Sequence, residues 1–347
     1  MLRSLVSTVD KAALRLCERV PYLANWYYCI NRQFEREHHA VIVGRLHYLS
    51  SLNNDSGIAH RYRLRRNTHR LEKGLISRPR RELFALDYIG ETVVSYESLY
   101  ASANTENRDE LYNWSTSVLK AYFEAVQAAK DLRVEPLHER FCRVFSSEQA
   151  EEPRSPYHRD TKPLAISIDA MHELAHRRRS VRWYEQRPVP REIIDKAVVV
   201  AGYSPSACNR QPFEFLIFDD PEQIAKVSAA PMGVKGFNHQ FPGFAVIVGK
   251  LHAYPYERDR HLIYIDASLA AMSFEYALEV QGVASCSINW PDIPAREKMI
   301  AKLLGLQSDE RVIMCISFGF PDPTGMVPYS QKKSLNELRA YNRLELE

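Results

Sequence analysis

The chain has no long apolar run. Its longest apolar stretches, such as Ala197–Ala201 and Phe244–Gly249, fall far short of the length that crosses a bilayer. Met1–Arg19 alternates apolar and charged residues without an apolar h-region, so neither a membrane span nor a signal peptide is expected. Cysteine is scarce and scattered: six residues, at 17, 29, 142, 208, 286 and 315, form no CxxC pair and no His/Cys ligand spacing. That pattern speaks against a disulfide framework and a zinc site, and for a reducing, cytoplasmic setting. A GxGxxG fingerprint and a P-loop are both missing, which excludes a Rossmann unit. Charge of one sign is also lacking. The balance of 46 Lys and Arg against 43 Asp and Glu leaves a net +3, so nucleic acid is not an expected partner.

What is present is an ordinary globular composition, 45% apolar and 26% charged, over 347 residues. That length favours two units. Residues 1–150 read as mostly helical, with apolar positions at helical spacing in Leu2–Val20 and Leu111–Ala129 and little Gly or Pro. The polar, proline-bearing stretch Ser146–Pro156 reads as a linker, with the boundary drawn at 151–164. Beyond it the pattern changes. Ile168–Ala175 is amphipathic, and Pro190 opens a helix carrying Ile193, Ile194, Ala197, Val198 and Ala201 inward. Phe213–Phe218, Phe244–Gly249, Val283–Ile288 and Val312–Phe318 read as strands. Helices fit between them at Pro221–Ala229, Leu262–Gln281 and Pro294–Leu304.

Two short segments carry the chemistry. The first is the basic run His176–Arg182, in which Arg178, Ser180 and Arg182 alternate and project to one side if extended. Guanidinium forks with a short hydroxyl suit a phosphate dianion. The competing reading is a solvated helix end whose arginines offset the dipole. The second segment is Ser204–Pro212, a loop of small hydroxyls and amides between a helix and a strand. Its Asn and Gln amides both donate and accept, which suits the edge of a planar polar ring; a plain polar turn is the alternative.

Together, RRSVRWY at 178–184, SPSACNRQPFEF at 204–215, the passage Gly282–Trp290 and the late QKKSL at 331–335 resemble the nitroreductase family over about 165–342, within a second unit drawn at 165–347. The resemblance implies an α+β fold with a mainly antiparallel sheet flanked by helices, bound FMN, and NADH or NADPH as transient reductant. It implies a homodimer, with Arg178, Ser180 and Arg182, and Arg179 beside them, on the FMN phosphate. Pro205, Ser206 and Asn209, with Gln211, would border the flavin of the other subunit. Lys332 and Lys333 would reach the phosphate, although the family's Arg-Lys-Pro reads Lys-Lys-Ser here. Ser287 and Asn289 lie where relatives pass the N5 edge, without the family's usual Pro-x-Glu-Gly or Trp-x-Gly. Asn238 or Gln240 is a candidate for the pyrimidine side, and Trp290 reads equally as core or as a stacking ring. The flavin carries the chemistry, so no side chain is assigned as acid, base or nucleophile, and Cys208 is given no redox role.

The helical half holds one distinctive patch, His60–Arg81, with nine Lys and Arg against the single acid Glu72. It reads either as a docking surface for an anionic substrate or as a solvated face paired with acids elsewhere. Gly74 is expected to cap the helix there. The expected activity is hydride transfer through the flavin to a small organic acceptor. Alternatives are a flavin-dependent dehydrogenase or dehalogenase tailoring a biosynthetic intermediate, and an anionic-ligand binding protein working through residues 60–81.

Overall fold

The computed structural model describes residues 2–53, 57–101, 109–145 and 154–344. Of the expected linker, 146–153 lies outside the described residues, and 154–167 carries neither helix nor strand. The first half is helical as read: α1 (Leu2–Arg19), α2 (Leu23–Asn31), α3 (Glu35–Ser51), α4 (Ile58–Leu75), α5 (Ile89–Tyr100), α6 (Glu110–Val126) and α7 (Glu135–Val144). The local signals are familiar ones. Asp109 caps α6 by accepting from the Tyr112 amide, and a proline opens α7. Helices α4 to α7 bury Leu64, Leu71, Val93, Tyr96, Leu119, Tyr122 and Phe141 in a core of their own. Gly74 departs from expectation. It lies inside the last turn of α4 and Ile76 is the cap, because a Cβ at 74 would sit 2.3 Å from the Phe84 ring.

The second half runs α8 (Ile168–Arg177), α9 (Arg191–Gly202), β1 (Phe213–Phe218), α10 (Pro221–Ser228), β2 (Gly243–Lys250), α11 (Leu262–Val280), β3 (Ala284–Asn289), α12 (Pro294–Leu304), β4 (Glu310–Gly319) and α13 (Leu335–Leu338). The four strands form one antiparallel sheet in the order β1-β2-β4-β3. This is the α+β arrangement the family resemblance implied. Strand β2 is buried throughout because alternate residues enter different cores. Ala245 and Ile247 pack against α9 and α11. Phe244, Val246 and Val248 pack with Ile224 and Val227 of α10 and Ile300 of α12.

The helical half is docked onto this sheet. Ala40 of α3 is buried in the α9–α11 core, with Val41 and Tyr62 against it. Gly44 permits the approach: a Cβ there would stand 2.7 Å from Leu251 Cβ. Among the described residues no helix is long and apolar enough to cross a membrane.

Candidate functional site

Helix α8 ends at Arg177, and Arg178 leaves it with φ −56° and ψ 120°. From there the chain is extended along the open edge of β3. Ser180 bridges Ser285 in parallel, and the Val181 amide donates to the Ser285 carbonyl at 3.0 Å. Gln240 clips this segment down, accepting from the Tyr184 amide and donating to the Arg182 carbonyl. Its amide is thereby spent on backbone, while Asn238 donates to the Ser228 hydroxyl. The basic run therefore divides: His176 and Arg177 finish a helix, and 178–182 form an extended cationic edge.

Three half-buried guanidiniums stand within this edge. Arg178 faces Glu275 at 3.4 Å, and Glu275 is buried and also accepts from Ser285 and Ser287. Among the described residues the Arg179 guanidinium hydrogen-bonds only the Arg178 carbonyl, and that of Arg182 bonds the Ser180 carbonyl and stands over the Phe237 ring. One long carboxylate contact for three cations leaves most of their N–H donors and charge uncompensated. That donor set fits a phosphate dianion. Cys286 lies beneath, its thiol pushed up by burial despite Arg182 nearby, and so is poorly suited to nucleophilic work.

The loop 204–211 is held from three sides. The hydroxyls of Ser204 and Ser273 are 2.7 Å apart, the Ala207 amide donates to Asp266 at 3.0 Å, and Ser206 Oγ accepts from the Gln211 amide. Burial raises the Asp266 carboxyl above its ordinary value, against the bonds from Ala207 and Tyr254. Cys208, Asn209 and Gln211 have φ of 53°, 51° and 51°, a left-handed cluster of non-glycine residues of the kind that persists where surroundings impose it. Arg65 of α4 supplies the third side: its Nε donates to the Asn209 carbonyl at 2.9 Å and its Nη2 to Gln211 Oε1 at 2.5 Å. Gln211 Nε2 donates to the Gly202 carbonyl, so that amide too is occupied, whereas the side-chain amide of Asn209 makes no hydrogen bond among the described residues. Pro205, Ser206, Asn209 and Gln211 line a cavity of about 580 Å³ with Arg65, His69 and Tyr203.

Helix α11 carries both segments, which come within two residues of each other at Ser273 and Glu275. Asp266 and Ser273 hold the loop, whereas Glu275 and Glu279 receive Arg178 and Arg177. Nine residues separate Asp266 from Glu275, about 13 Å of helix. No residue of 178–182 lines the loop's cavity.

The remaining expected residues are placed unevenly. Ser287 is exposed on β3 and bonds Glu275; Asn289 is exposed at the strand's end. Trp290 is core: it is buried and donates to Glu297 at 2.6 Å. Lys332 and Lys333 lie on an exposed tail, and neither side chain bonds the rest of the described chain. Sequence reasoning singled out neither Glu275 nor Arg65. An acid on the apolar stripe of α11 was a usable signal for Glu275. Nothing in the sequence distinguishes Arg65 from its eight basic neighbours. Four of those neighbours are matched by acids, Arg61 with Asp109, Arg63 and Arg66 with Glu91, and Arg70 with Asp87. Among the described residues Arg65 has no carboxylate partner.

An extended cationic edge whose donors fit a phosphate and an amide-rich loop stand on one antiparallel α+β sheet. The profile described as Nitroreductase family matches residues 175–234 and 237–320. A "Putative NADH dehydrogenase/NAD(P)H nitroreductase" of Archaeoglobus fulgidus is 30% identical over 154 residues, covering 43% of this chain and 84% of that protein. Iodotyrosine deiodinase 1 of Pongo abelii is 24% identical over 214 residues, 54% of this chain and 73% of that one. Among solved structures, an FMN-dependent nitroreductase from Clostridium difficile R20291 aligns with TM-score 0.44 at 24% identity, over 50% of this chain and all of that one. The chain belongs to the nitroreductase family, with its helical half preceding the matched region, and is a flavin-dependent oxidoreductase.

Proposed function

We propose that the chain binds FMN and uses NADH or NADPH to reduce a small organic acceptor that carries an anionic group. The observation that carries this reading is the cluster of Arg178, Arg179 and Arg182 with a single, long carboxylate contact. The bound flavin would supply two-electron transfer. Arg178, Arg182 and Ser180 would hold its phosphate, with Ser287 and Asn289 beside them on β3. Pro205, Ser206 and Asn209 would border the ring, and Arg65 would favour an acceptor with a carboxylate or phosphate.

That no residue of 178–182 lines the loop's cavity supports a homodimer in which each site takes its phosphate grip from one subunit and its ring border from the other. Exposed apolar residues on the same helices support it further: Val199, Val200 and Tyr203 of α9, and Ile265, Leu269 and Met272 of α11. The exposed tail carrying Lys332 and Lys333 would reach across to the phosphate. Six free cysteines suit a reducing cytoplasm. Similarity to iodotyrosine deiodinases favours one second reading, reductive dehalogenation of an anionic aromatic acceptor. Ion pairing of four of the nine Lys and Arg in the 60–81 patch weighs against a pure binding protein.

Purified protein is expected to be yellow, to be bleached anaerobically by NADH or NADPH, and to be reoxidised by a nitroaromatic carboxylate or a halotyrosine. A colourless protein that takes up no FMN on reconstitution overturns the proposal. Reoxidation by the halotyrosine alone selects the second reading.

A further inference from the structure

Away from both flavin segments, three side chains from distant parts of the chain converge. His47 comes from α3 of the helical half, His252 follows β2, and Asp309 precedes β4. The Nδ1 atoms of His252 and His47 stand 2.8 and 3.2 Å from the same oxygen, Asp309 Oδ2. Candidate donor atoms of all three lie within 4.8 Å of one another. Asp309 is fully buried, and its second oxygen, Oδ1, has no hydrogen-bond partner. A buried carboxylate with one oxygen unsatisfied is costly and calls for a further partner. Burial opposes ionisation of Asp309, but the imidazole contacts outweigh it and hold the carboxyl below its ordinary value.

The chemistry of the donors narrows that partner. Two imidazoles and one carboxylate suit a borderline divalent ion, whereas calcium and magnesium prefer all-oxygen shells. Zinc with ligands at about 2.0–2.2 Å in a tetrahedron spaces them about 3.3–3.5 Å apart, so the Nδ1 to Oδ2 spacings of 2.8 and 3.2 Å would open by up to about half an ångström to admit the ion. His47 and His252 also line a cavity of about 490 Å³. Two of that cavity's cations are already compensated, Arg61 by Asp109 and Lys250 by Glu214. We propose that His47, His252 and Asp309 form a zinc-class divalent metal site whose fourth position opens to this cavity. Such an ion would tie α3 to the segments flanking β2 and β4, and so pin the helical half to the flavin-binding half. The site is independent of the flavin reading.

The test uses the full-length protein, stripped with chelator and titrated with Co²⁺ and Zn²⁺. Expected are one equivalent of Co²⁺ per chain with visible bands of a four-coordinate ion, displacement by Zn²⁺, and a melting temperature raised by Zn²⁺. His252→Ala and His47→Ala should weaken binding about 100-fold or more. His47 is half-exposed, so its variant keeps the test valid if changes at buried Asp309 or His252 prevent folding. Flavin content, read separately, should not change with stripping. Absence of Co²⁺ uptake by the wild type overturns the proposal, as does unchanged uptake by His47→Ala. In the first outcome the three groups are a hydrogen-bonded triad sharing protons.

Discussion

The Nε of Arg65 donates to the main-chain carbonyl of Asn209 at 2.9 Å, joining α4 of the helical half to the loop expected to border the flavin. The partners of this guanidinium are neutral. Burial and the neighbouring Arg61 charge lower its pKa, yet an arginine stays protonated. A permanent cation is thus held beside two cavities that share Arg65 and Gln211.

Replacing Arg65 should therefore separate acceptors by charge. Hydrogen bonds from a charged group are each worth about 1.5–3 kcal/mol, roughly 10- to 150-fold in affinity. Arg65→Ala is expected to raise KM for a nitroaromatic carboxylate at least about 10-fold, with a smaller effect on a neutral nitroaromatic. Arg65→Lys should recover part of the difference through its charge. Steady-state kinetics on the matched pair decide the point: equal shifts for both acceptors would mean that Arg65 only shapes the loop.

The cationic edge predicts a contrast between two arginines. Among the described residues the Arg182 guanidinium hydrogen-bonds only the Ser180 carbonyl, so Arg182→Ala should weaken FMN binding about 10- to 100-fold with little loss of stability. Arg178 is the charged partner of buried Glu275, and its removal leaves a buried acceptor short of a donor at a cost of about 1–3 kcal/mol. Arg178→Ala should therefore lower both FMN affinity and the urea midpoint. Adding Glu275→Gln should restore the midpoint and leave FMN binding weak. Flavin fluorescence titration and urea denaturation read the two effects separately.

The second half was legible because its signals are local. Strand β1 lies at Phe213–Phe218 as read, and α12 at Pro294–Leu304, since proline starts and short apolar runs mark such elements directly. The basic run was legible as residues but not as a shape: whether it ended a helix or ran extended depended on the edge of β3, which only the fold supplies. Tertiary contact also decided the rest. Trp290 was balanced between core and site until Glu297 was seen to take its N–H. Arg65 was one of nine basic residues until Asn209 appeared beside it. Gly74 looked like a cap because its role, admitting the Phe84 ring, comes from another segment.

Gly44 tests the docking of the helical half. In an exposed helix, Gly→Ala stabilises by about 1 kcal/mol. Here the new Cβ would meet Leu251 Cβ at 2.7 Å and the Leu251 carbonyl carbon at 3.0 Å, and overpacking of that kind costs about 1–3 kcal/mol. The steric cost should win. Gly44→Ala is expected to lower the thermal midpoint, and Gly90→Ala, whose Cβ meets nothing within 4 Å, is not. A Gly44→Ala protein as stable as wild type would show that α3 does not press on residues 251–252.

Asp266 gives the loop proposed to border the flavin a pH dependence of definite sign. Burial raises its carboxyl pKa in the folded protein above the unfolded value of about 3.9. Between those two values the native state holds more protons than the unfolded chain, so the slope of unfolding free energy with pH is negative. Its contribution to stability is greatest below the unfolded pKa, falls as pH rises through the window, and is constant above the folded pKa. An asparagine can still accept from the Ala207 amide at 3.0 Å and the Tyr254 hydroxyl at 3.2 Å without an ionisation penalty. Asp266→Asn should therefore match or exceed the wild type at neutral pH and lose the decline across the acidic window. Urea midpoints for both proteins from acidic to neutral pH check this, and a decline of equal size in the variant would assign the effect to another group.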